Sequence, residues 1–472
     1  MGAIPFPLSS SPGAKLQEGG GRLINAYAEK LGESARFPVV WKRTPGLRQR
    51  VDITGHSHLR GAILVASTLL VAMDTRVYSI TESAGVYTTT NLGALSGTDR
   101  LTVAKNNAGT PNIVAVTTAG CFNLFTGSAP TSFADADLPQ PNSVCMIDGY
   151  FIFSIGDGRI FASGLNAVTI STSSYTTEQG LVLRRVVTFR DEVYAFGDKW
   201  CGVYRDAGTS PFPLERRFTI PRGICGTHAI AGWEPGWENE LIWVGEDLRV
   251  HRLDGYTPKP ISTPDVERAI QSCADASLLE ASVYMSDGNP IWQLTSPGEW
   301  TWEYNQRTGN WNERESYNRD DSRMSVAVRT FDEWWSGDRT TGKLFKIDSS
   351  YYREANDPLI WTVESGIVSN FPARVGAPRA DFDFTAAVGL AAGEDPIQTD
   401  PKVLVSWSND GGYTYGSPVQ RGLGGEGEPE VSVTVHRTGL IKAKGKRFRL
   451  QVSDPVHVGF LGGQLAAIQR AA

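Results

Sequence analysis

Between residues 61 and 350 the hydrophobic positions recur in one arrangement: an apolar run, a polar turn rich in Gly, Asp or Asn, and a second apolar run. The clearest copies are LIWVGEDLRVHRLDG (241–255), EVYAFGDKWCGVYRDAG (192–208) and YFIFSIGDGRIFASG (150–164). Looser ones are LLVAMDTRVYSI (69–80), NIVAVTTAGCFNLFTG (112–127), PIWQLTSPGEWTWEY (290–304) and EWWSGDRTTGKLFKID (333–348). Alternation within the copies has the two-residue period of strands. Their spacing, about 40 to 50 residues, is close to the length of one four-stranded propeller blade. A blade cannot bury both faces alone and must stack on neighbours. The pattern therefore predicts a mainly β chain with a β-propeller over residues 56–355. Seven candidate hairpins are visible, and divergent copies leave counts from five to seven open, with about six to seven blades expected.

The stretch WTWEYNQRTGNWNERES (300–316) fits this scheme. Tyr304 ends one strand, Gly309 lies in the turn, and Trp311 begins the next. Trp300, Trp302 and Trp311 then read as blade-packing aromatics, with a ligand platform as the competing reading. One helix is expected in STPDVERAIQSC (262–273), with Thr263 as cap, Pro264 at the first helical position, and Asp265 and Glu267 in the first turn.

From about residue 360 the texture changes. PKVLVSWSNDGGYTYG (401–416) reads as a strand and a tight Asn-Asp-Gly-Gly hairpin turn, and GLIKAKGKRFRLQVSDPV (439–456) as two strands around Gly445. In the second of these, Phe448, Leu450 and Val452 share one face, while Arg447, Arg449 and Gln451 share the other. A β-sandwich-like platform domain is expected over 356–472. The N-terminal segment, 1–55, lacks the repeat and is expected to pack on it.

Composition narrows the function. Glycine is abundant (50 residues) and methionine scarce (5), which suits short strands and tight turns over long helices. A net charge of −6 argues against bulk electrostatic binding of nucleic acid. Cys121, Cys145, Cys201, Cys225 and Cys273 are odd in number and widely spaced, and read as reduced thiols in a protein made in a cytoplasm. The start, MGAIPFPLSSSPGAK, lacks the features of a secretion signal. The longest apolar run, GAILVASTLLVAM (61–73), is too short to span a bilayer, so stable membrane insertion is not expected.

Candidate chemistry is sparse. Ser408, Asp410, Gly412 and Tyr415 have the spacing of an Asp box, in which the Asp caps a turn and the aromatic packs beneath it. That motif folds a turn and does no catalysis. His56 and His58 could share one strand face and bind a metal, but no third ligand is near, and a loop pair is the plainer reading. Glu246 and Asp247 sit in a turn where polar residues are expected. No Walker loop, G-x-S-x-G or H-E-x-x-H occurs. The strongest charge cluster is Arg437, Lys442, Lys444, Lys446, Arg447 and Arg449. It reads either as a solvated hairpin edge or as a contact for an acidic partner or DNA phosphates. No catalytic, cofactor-binding or metal residues are assigned, and no cofactor is expected.

Three stretches carry a family likeness: RLINAYAEKLGESARFPVVWKRTPGLRQ (22–49); FGDKWCGVYRDAGTSPFPLER (196–216) with GEDLRVHRLDGYTPKPISTPDVERAI (245–270) and the tryptophan-rich run; and SWSNDGGYTYG before KRFRLQVSDPV and GGQLAAI (462–468). In this order they resemble the tail nozzle or hub proteins of short-tailed phages, the packaged-DNA stabilisation proteins. The resemblance implies a structural, non-enzymatic virion protein made in the bacterial host cytoplasm. It implies a hexameric ring below the portal and its adaptor, contacts with tail fibre, spike or needle proteins, and a channel that retains packaged double-stranded DNA and passes it at ejection. A carbohydrate-binding or glycan-degrading tail component, or a cellular propeller scaffold, are the competing readings.

Overall fold

The computed structural model of the chain describes every residue except 1, 33, 34, 36, 134, 179–181 and 470–472. Each of the seven hairpins expected from the hydrophobic pattern forms the second and third strands of one antiparallel four-stranded blade. Blade one runs from Leu59–Val65 to Val86–Ala94, blade two from Thr102–Lys105 to Thr131–Ser132, and blade three from Pro141–Ile147 to Ile170–Thr177. Blade four runs from Leu183–Phe189 to Leu214–Ile220, blade five from Ile230–Ala231 to Thr257–Pro260, and blade six from Glu280–Ser286 to Asn310–Glu313. Blade seven takes three strands from its own stretch, Met324–Thr330, Glu333–Asp338 and Lys343–Asp348. Its fourth, Gly46–Asp52, arrives from the N-terminal segment and pairs antiparallel with Lys343–Asp348.

The ring closes because the first strand of blade seven lies against the first strand of blade one, as the first strands of blades one to four and of blades five to seven lie against one another in turn. The closing strand falls on the far side of the boundary expected at residue 55. Its mostly polar sequence, GLRQRVD, hides two anchors: Leu47 is fully buried in the core shared by blades four to seven, and Val51 is buried in the core between blades seven and one. Between blades four and five, Phe196 meets Trp243 with ring centroids 5.3 Å apart. Each such ring removes on the order of 150–250 Å² from water, worth roughly 4–6 kcal/mol.

A local signal fixes the register of the blades. The turn from first to second strand carries positive φ at both central residues in four of them: Asp148-Gly149, Arg190-Asp191, Asp287-Gly288 and Phe331-Asp332. Such turns match the right-handed twist of the flanking strands, and Asp and Gly tolerate the left-handed backbone they need. The helix forms over Pro264–Ser272 after blade five, with Thr263 as its N-cap.

The remaining strands make two sheets around a second core. One holds Ala26–Lys30, Val39–Arg43, Gly459–Gln469, Val375–Phe384 and Val433–His436, with Gly2–Ile4 alongside Gly459–Gln469, so the two ends of the chain pair. The other holds Leu23–Ile24, Trp361–Glu364, Arg447–Val452, Lys402–Ser408 and Val419–Gly422. Trp41, Phe382 and Phe460 from the first sheet pack against Trp361, Phe448 and Leu450 from the second. Across the gap Phe382 and Phe448 stand 5.5 Å apart, edge to face.

This second sheet is not separate from the propeller. Ile24 pairs in parallel with Glu313 of blade six, and Leu23–Ile24 pairs antiparallel with Trp361–Glu364, so nine strands form one sheet. Asn25 ties the joint, donating its side-chain amide to the carbonyls of Glu315 (2.8 Å) and Ile360 (3.0 Å). Beside it Arg314, fully buried, lies 2.8 Å from Glu354 and 3.7 Å from Glu303, and donates to the Pro45 carbonyl.

One expectation for the C-terminal region is corrected. The Asn-Asp-Gly-Gly segment is not a tight hairpin, because Val405 pairs with Val419 and leaves a long connection between the strands. The two strands expected around Gly445 form and separate: Leu440–Ile441 joins one sheet and Arg447–Val452 the other. Gly445 makes the crossing at φ +82°, and a Cβ there would lie 2.1 Å from Ile367.

Candidate functional site

The tryptophans of the 300–316 stretch serve packing. Trp302 and Trp311 are buried and Trp300 lies partly buried on the same core. Trp311 packs edge-on to Trp292 and donates its indole N–H to the Ile261 carbonyl at 2.9 Å. His56 and His58 lie in a loop, not on a strand. Both engage Asp74: His56 Nδ1 stands 3.0 Å and His58 Nδ1 3.1 Å from its carboxylate. Against the upward push of partial burial, hydrogen bonds from Ser57 and His56 and the charge of His58 hold the Asp74 carboxyl at about 2. Among the described residues no three His, Cys, Asp or Glu gather as a metal-ligand set.

The Asp box is a turn device. Ser408 Oγ donates to Asp410, and Asp410 accepts from the Thr414 amide at 3.0 Å and the Thr414 hydroxyl at 2.6 Å. These bonds hold its carboxyl well below the ordinary range. The Tyr415 ring packs under the Arg449 guanidinium, 3.7 Å away. Glu246 and Asp247 pair with Arg222, and Asp247 also holds His251 Nε2 at 2.9 Å.

The basic cluster does not exist as one surface. Lys446 and Arg447 are buried, and Arg449 pairs with Glu364 at 2.7 Å. Alternation correctly put Phe448, Leu450 and Val452 in the core, but the opposite face is also covered, because Arg447 donates to the carbonyl of Gly19 in the N-terminal segment. Only Arg437, Lys442 and Lys444 remain exposed.

The cavity that stands out lies where the first strands of the blades begin, and no motif marks it in the sequence. It has a volume of about 800 Å³. Residues at or just before the first strands of blades one, two, three, five, six and seven line it, among them Arg60, Arg100, Asn142, His228, Glu280 and Ser325. Arg60 is fully buried and donates to the carbonyls of Asp99 and Asp74, both at 2.7 Å, stapling the loop that leads to blade two. Glu280 sits between two guanidiniums: Arg339 Nη1 donates to it at 2.6 Å and Arg100 Nη1 stands 3.8 Å off. Burial would raise the Glu280 carboxyl, but Arg339 and Arg100 outweigh it and hold the pKa down. Arg100 also donates to the Ala281 carbonyl at 2.8 Å, which ties the approach to blade two across the axis to blade six.

Seven radial blades closed by an N-terminal strand, fused through one sheet to a two-sheet core, define a β-propeller protein with an appended sandwich. Residues 35–352 match the family model described as Phage_stabilise, Bacteriophage P22 Gp10, beta-propeller, and the chain belongs to that family. The matched span takes in the closing strand and all seven blades. No curated protein sequence matches the chain. Among solved structures, the WD40 propeller domain of Doa1 is 11% identical, with 64% of this chain and 96% of that one covered and a TM-score of 0.42. PorZ, a surface component of the type-IX secretion system of Porphyromonas gingivalis, is also 11% identical, with 70% of this chain and 44% of that one covered and a TM-score of 0.40.

Proposed function

We propose that the chain is a structural part of a phage virion and not an enzyme: the nozzle or hub of a short tail, forming a hexameric ring below the portal and adaptor. The ring would continue the DNA channel, close it to retain the packaged double-stranded genome, and pass DNA at ejection. The observation that carries this reading is the family match over the whole propeller. Three further features favour it. The sandwich, as a platform, has the second core needed to make ring contacts while the propeller projects. The shared nine-stranded sheet couples the two rigidly. A net charge of −6 suits a conduit that must not hold phosphates. Tail fibre, spike or needle proteins would attach to the same ring. The tryptophans on which a glycan-binding reading would rest are engaged in packing.

The test is genetic and physical. A phage lacking this chain should fill its capsids and then lose the DNA, measured as nuclease-sensitive genome after packaging. Capsids that keep a nuclease-resistant genome without the chain would overturn the proposal.

A further inference from the structure

The axial cavity holds more guanidinium charge than its carboxylates neutralise. Arg60 donates to backbone carbonyls and stands 3.8 Å from the Asp99 carboxylate, and Arg319 pairs with Asp321 through two contacts of 2.7 and 3.0 Å. That leaves Arg100 and Arg339 to share the single carboxylate of Glu280, and the Arg100 contact at 3.8 Å is too long for a hydrogen bond. Burial pushes both Arg100 and Arg185, which lies behind it, down; Arg100 lowers Arg185 further, while at Arg100 the pull of Glu280 is opposed by Arg339. Glu234, the other acid in reach, is driven towards its neutral form by burial. His228 is driven the same way by burial and by both arginines.

The hydrogen-bond balance points in the same direction. Arg100 Nη1, Arg185 Nε and Nη1, and Arg339 Nε are buried donors without an acceptor. Charged donors seldom stay unpaired in a folded core, because each forgoes its hydration without replacement. Arg100 and Arg339 line the open volume and keep 16% and 10% of their side-chain surface free. A cavity of about 800 Å³ is the size of small-molecule sites, which run roughly 300–1,000 Å³.

We propose that the axial cavity binds a small oxyanion, a phosphate or a di- or tricarboxylate, held by Arg100 and Arg339 in competition with Glu280. Bound there, the anion supplies the missing negative charge and bridges blades two, six and seven, which Arg100, Glu280 and Arg339 bring to the axis. The site is independent of the virion role and would stand if that role fell.

Calorimetric titration of the full-length chain with inorganic phosphate and with citrate, at ionic strength matched with chloride, tests it. Saturable binding is expected, with a melting temperature that rises with ligand concentration. Glu280→Gln removes the competing carboxylate and should tighten binding about tenfold, while Arg339→Gln should weaken it by about the same factor. If Arg339→Gln fails to fold, as circular dichroism would show, Glu280→Gln decides alone. Phosphate and citrate acting no differently from chloride on both the natural chain and Glu280→Gln would overturn the proposal. So would Glu280→Gln binding no more tightly than the natural chain.

Discussion

Lys446 places an ammonium group in the sandwich with no carboxylate beside it. It is fully buried and donates to Asn409 Oδ1 at 2.7 Å and to the Thr438 carbonyl. Burial brings its pKa from 10.5 to about 8. A depressed folded pKa means that the unfolded chain binds the extra proton between pH 8 and 10.5. Stability from this group therefore rises with pH through that window and is lost as pH falls through 8, by up to about 3 kcal/mol. Urea unfolding of the natural chain and Lys446→Met should show a stability difference that shifts in favour of the natural chain from pH 7.5 to pH 10. Parallel pH profiles would contradict this. In the sequence Lys446 looked like one member of a basic patch. Alternation puts Lys446 on the face of Phe448 and Leu450, where Asn409 and Thr438 hold its nitrogen; it cannot see that Gly19, more than four hundred residues away in the chain, covers Arg447 on the opposite face.

At the scale of elements, the hairpins were legible and their closure was not. All seven second-to-third strand pairs stood out because both strands are apolar and their polar turns are short. The first strands were harder to find: in blade five the first strand is Ile230–Ala231, two residues long. The closing strand was invisible because its partner lies about 300 residues on and its own residues are mostly polar. Leu47, its one fully buried side chain, sits opposite Ile347 and donates nothing to a local pattern. Leu47→Ala should cost about 2–5 kcal/mol, the range for truncating a buried leucine. Exposed substitutions on the same strand, such as Gln49→Ala, should cost far less. Thermal or urea unfolding of the two variants makes the comparison; equal, small losses would mean that the strand does not close the ring. The Asn-Asp-Gly-Gly segment teaches the reverse lesson. Its turn chemistry was read correctly, but Asp410 uses it to cap a loop and not to join adjacent strands.

For the molecule as a whole, sequence periodicity gave the architecture, and the family match agrees with the resemblance read from three ordered stretches. The axial cavity was not legible, since Arg60, Arg100, Glu280 and Arg339 come from four blades and share no motif. Only closure of the ring assembles them. The joint between propeller and sandwich was equally hidden, because it depends on a two-residue strand, Leu23–Ile24, bridging blade six and Trp361–Glu364. Among the described residues no helix is long and apolar enough to cross a membrane, and all five cysteines are free thiols. A rigid propeller and sandwich sharing one sheet is a part suited to transmitting position within an assembly. The most direct measurement of that claim is electron microscopy of the purified full-length chain, alone and with the portal–adaptor complex proposed as its partner. The account predicts sixfold rings with an open axis and radially placed propellers, docking end-on to the adaptor. A chain that stays monomeric in both preparations and leaves the adaptor bare would contradict it.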